Sequence, residues 1–116
     1  MYYTTVNQSK KLLELGLDPE SADMYYPNRI DIKYQGALPI EYKHGNPLLS
    51  QEFPCWSLAA LLSVLPMVDF TTPQLIGTPK TLYRCMYNDN LKSPACDNAV
   101  DACVEMILKL HELNLL

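Results

Sequence analysis

A chain of 116 residues with 48% apolar content and a formal charge of -4 has material for one hydrophobic core and not for two. Thirteen acidic residues face nine basic ones, and no basic cluster exceeds Lys10-Lys11, which argues against a nucleic acid or an anionic membrane surface as partner. No stretch approaches the ~18 apolar residues of a spanning helix, and Met1-Tyr2-Tyr3-Thr4-Thr5 lacks the regions of an export signal, so the expected location is the cytoplasm.

Thr5 and Gln8 stand at capping-box spacing, which predicts a helix from about Val6 to Leu15, with Gly16 at the left-handed position that closes it. Val6, Ser9, Leu12 and Leu13 share one face. Asp18-Pro19 restarts a helical turn, with Asp18 as cap and Pro19 first inside, and the second helix is expected to end near Tyr25 or Tyr26. Two helices joined at Gly16 outline a helix-turn-helix, so DNA binding through this pair is one functional alternative. Glu20, Ser21 and Asp23 would repel a phosphate backbone, and a helical corner covering the core is the plainer reading.

Ile30, Ile32 and Tyr34 alternate with polar residues up to Gly36, the period of a half-buried strand. Ile40-Glu41-Tyr42 is expected to return as its hairpin partner, with Pro39 limiting it to an edge, and Gly45-Asn46-Pro47 to turn. Leu48 to Phe53 reads as an irregular approach to the central helix. That helix is the organising segment: Leu58, Leu61, Leu62 and Leu65 recur on one face, Ser57 caps the start and Pro66 stops the run.

Pro73, Gly77 and Pro79 break regular structure, leaving short extended pieces at Met67 to Phe70 or Gln74 to Ile76. Thr81 to Tyr87 is the best strand in the chain, turned by Asn88-Asp89-Asn90. A last helix, from about Asn98 to Leu113, presents Val100, Cys103, Val104, Ile107, Leu108, Leu110 and His111 on one side and a polar stripe of Asp97, Asp101, Glu105, Lys109 and Glu112 on the other. It should pack on the central helix and on the sheet. Leu113-Asn114-Leu115-Leu116 is greasy enough to dock on the core or on another subunit. The expected fold is α+β: one domain over residues 1–116, with three or four helices packed on a small antiparallel sheet or hairpin.

Cys55-Trp56 at a helix start has catalytic overtones, because a helix dipole can stabilise a thiolate and papain-like proteases place such a pair there. A thiol-dependent hydrolase-like enzyme using Cys55, with His44 or His111 as base, is therefore a second alternative. Against it, Cys55 reads as a small buried residue and Trp56 as a core or rim anchor. Cys96 lies beside Asp97 and Asp101, which raise a thiol pKa. Four cysteines without a C-x-x-C, and no phosphate-loop, dinucleotide or nucleophile-elbow motif, leave no metal, cofactor or catalytic residue to name. Among eight tyrosines and one tryptophan, Tyr25, Tyr26 and Trp56 with Arg84 are the candidate partner-binding patch.

The stretches Gln8 to Leu17, Ser21-Ala22-Asp23-Met24, Pro54-Cys55-Trp56-Ser57-Leu58, and Asn98-Ala99-Val100-Asp101-Ala102 with Glu105-Met106 resemble a family of small uncharacterised proteins of Bacteroides-type gut bacteria and their phages or mobile elements. The resemblance covers about half of the chain and excludes Asp31 to Gln51. Its middle motif reads Pro-x-Trp-Ser-Leu, which speaks against catalysis by Cys55. It implies an accessory role, and with the composition it favours a non-enzymatic protein-interaction domain, self-associating through the C-terminal helix or binding another protein.

Overall fold

Two local signals fix the ends of the first helix. In the computed structural model, which describes residues 3–26, 41–42, 53–69, 71–77 and 82–116, Thr5 Oγ1 accepts from Gln8 N and Gln8 Oε1 from Thr5 N, closing both halves of the capping box at the start of α1 (Val6–Glu14). At its other end Gly16 adopts φ +96°, a conformation costly to any residue with a Cβ, and lets Gly16 N and Leu17 N bond back to Leu13 O and Leu12 O.

The expected second helix is absent. Asp18 caps only the single 3-10 turn Pro19–Ser21, and from Ala22 the backbone is extended into β1 (Met24–Tyr26). Tertiary partners override the helix signal here: β1 pairs antiparallel with β2 (Glu41–Tyr42) on one side and β3 (Phe53–Cys55) on the other, giving the order β2-β1-β3. The helix-turn-helix pair therefore does not form. Glu41–Tyr42 is a strand, as expected, but its described partner is β1, with Met24 and Tyr25 in register, a pairing not foreseen from the sequence. Phe53, placed in the irregular approach, belongs to β3. The strand expected at Ile30 to Tyr34, the turn at Gly45-Asn46-Pro47, and His44 lie outside the described residues.

Ser57 caps α2 (Leu58–Val64) by accepting from Ala60 N, and Leu61 and Leu65 are buried while Leu58 and Leu62 pack at the edge of the core. The second sheet has the order β4-β5-β6, from Gln74–Gly77, Tyr83–Asn88 and Leu91–Lys92, all antiparallel. Asn88 Oδ1 accepts from Asn90 N and Leu91 N, which makes the turn read from Asn88-Asp89-Asn90.

Asn98 caps α3 (Ala99–Glu112), which packs on α2 and on the Cys85 and Tyr87 face of β5. Ala102 and Met106 are buried along with the expected face because α3 is also flanked by α1; His111, placed on that face, is exposed. The fold is α+β, three helices and two small antiparallel sheets among the described residues. One core joins α2, α3, β5 and the underside of α1, and a smaller one gathers Val6, Tyr26 and Cys55 beneath the first sheet.

Candidate functional site

The densest polar chemistry in the described residues lies where the N-terminal segment crosses the β3 to α2 junction. Thr4 N donates to Trp56 O at 2.9 Å, and Thr4 Oγ1 accepts from Trp56 N at 3.0 Å. The same hydroxyl shares a 2.7 Å hydrogen bond with Ser9 Oγ and reaches Cys55 Sγ at 3.7 Å. Tyr26 Oη and Cys55 Sγ both donate to the Thr4 carbonyl, at 2.8 and 3.4 Å. Thr4, Ser9 and Cys55 are wholly buried, so each bond meets a group that would otherwise be stranded away from water.

Asp23, just before β1, completes the junction. Its carboxylate accepts from Ser57 N at 2.9 Å and from Ser57 Oγ, while that hydroxyl caps α2. Trp56 Nε1 donates to Ser21 Oγ at 2.9 Å. The 3-10 turn, β1, β3 and the start of α2 are thus tied by groups that each have a structural partner.

This arrangement bears on Cys55 directly. It sits at the end of β3, two residues before the α2 cap, and is fully buried rather than held at the helix mouth. Burial drives its thiol pKa up to about 11, against the smaller opposing effect of hydrogen bonds from Thr4 and Tyr26. A nucleophilic thiol needs the opposite shift. His111 is exposed at the far end of α3. Cys96 is raised by burial first and then by Glu105, Asp101 and Asp97, with Arg84 opposing; Glu105, a turn and more away in sequence, escaped the sequence reading. Cys85 and Cys103 meet across the β5 and α3 interface, both wholly buried, and the contact with Cys85 followed by burial raises the Cys103 thiol. Among the described residues no group of three or more His, Cys, Asp or Glu could hold a metal ion, and no helix is long and apolar enough to cross a membrane.

The four aromatic and basic candidates do not converge on a surface. Trp56 is 0% and Tyr26 2% exposed, one in each core, because both polar tips find partners inside. Tyr25 is half-buried on β1. Arg84 lies on β5 of the other sheet, opposite Ile76, with Nε buried and without a hydrogen-bond partner. Trp56 and Tyr26 are therefore interior anchors and no part of a contact patch.

Exposed apolar surface gathers elsewhere, where α1 and α3 end together. Gln8, in the first turn of α1, donates through Nε2 to Asp101 Oδ1 in the first turn of α3 at 2.6 Å. The residues that follow α1 and those at the end of α3 flank a groove of about 200 Å³ lined by Leu15, Gly16, Leu17, Asp18, Ile107, His111 and Leu116. Beyond α3, Asn114 takes φ +58° and the chain closes with Asn114 N on His111 O and Leu115 N on Leu110 O. Leu113, Leu115 and Leu116 stay 51%, 44% and 43% exposed.

No family model, curated protein or solved structure matches the chain. The buried junction has every hydrogen-bonding group engaged by the fold itself, whereas the paired helix ends present apolar surface with room beside it.

Proposed function

We propose that the protein is a non-enzymatic interaction domain, an accessory factor of the phage or mobile-element kind that the sequence resemblance suggests, whose contact face is the C-terminal end of α3 with the adjoining groove. One observation carries this reading: Leu113, Leu115 and Leu116 remain about half exposed although hydrogen bonds from the amides of Leu113, Asn114 and Leu115 hold the turn after α3 in a defined closure. Ordered apolar surface of this kind gains free energy when a protein covers it, at roughly 25 cal/mol per Å² removed from water. The buried thiols and the fully engaged Asp23 and Ser57 offer no group poised for chemistry.

A photo-crosslinking amino acid placed at position 115 tests the reading in the producing cell. One discrete adduct is expected, with another protein or with a second copy, and it should disappear when Leu113 and Leu116 are both changed to Ser. A residue 115 that crosslinks to nothing, or an adduct indifferent to those changes, overturns it.

A further inference from the structure

We draw no further inference here: the strongest candidate, the pair of thiols Cys85 and Cys103 in the core between β5 and α3, carries nothing, because only the shift of one thiol's pKa by the other marks it and both side chains are wholly buried.

Discussion

Thr4 and Trp56 exchange two hydrogen bonds across fifty-two positions of sequence: the Thr4 amide donates to the Trp56 carbonyl, and the Trp56 amide returns to the Thr4 hydroxyl rather than to its backbone. A side chain thus stands in for a strand partner, and the first residues of the described chain are fastened to the start of the central helix. Thr4→Val keeps the shape and leaves the Trp56 amide buried without an acceptor. Urea unfolding is expected to show a loss of ~1–3 kcal/mol, and Thr4→Ser, which retains the hydroxyl, a smaller one. A larger loss for Thr4→Ser than for Thr4→Val would mean that the methyl group, not the hydroxyl, matters at this position.

Asp23 and Ser57 form the second fastening, and their effects should not be additive. Asp23→Ala removes both bonds to Ser57, whereas Ser57→Ala removes the hydroxyl's bond and the α2 cap, which alone is worth ~0.5–2 kcal/mol, and leaves the Ser57 amide on Asp23. A double-mutant cycle by chemical denaturation should return a coupling of ~1–3 kcal/mol, as expected for groups in one network. A coupling near zero would show that Ser57 acts as a cap and nothing more.

The buried thiol and phenols predict how stability responds to alkali. Burial lifts Cys55 from an ordinary value of 9.0 to about 11 and Tyr87 from 10.0 to about 12, and Tyr26 moves the same way, chiefly through burial. In the unfolded chain these groups lose protons at their ordinary values, while the folded chain still holds them. The unfolded state then binds fewer protons, so stability is full below pH 9 and falls as pH rises toward 11 to 12. Urea midpoints between pH 8 and 11 should decline, and Cys55→Ala should flatten the decline above pH 9, whatever it does to the midpoint at pH 8. In the native protein at neutral pH, Cys55 should resist alkylation that the half-buried Cys96 accepts; rapid labelling of Cys55 would contradict its burial.

Helix ends and turns were legible because their signals are local. Thr5 with Gln8, Gly16, Ser57, Asn98 and the Asn88 to Asn90 turn all act within a few residues of themselves, and all are found in those roles. The strand expected over Thr81 to Tyr87 is found at Tyr83–Asn88, paired with β4, and Thr81 lies outside the described residues. The segment after Asp18 misled for a definite reason. Asp18-Pro19 does start a helical turn, but Asp23 and Tyr26 are claimed by Ser57 and Thr4, residues whose nearness no window of sequence contains. The aromatic patch failed likewise: Tyr26 and Trp56 have the composition of contact residues, and only the presence of Thr4 O and Ser21 Oγ inside the fold decided that they turn inward.

By itself, the order of amino acids determined the three helices, their caps, the α+β class and the greasy character of the last four residues, because periodicity and capping are short-range physics. The tertiary structure alone decided that Gln8 of α1 reaches Asp101 of α3, that the ends of these helices flank one groove, and that the cysteine next to the tryptophan is sealed. Those are questions of which distant groups desolvate one another, and that depends on packing in three dimensions.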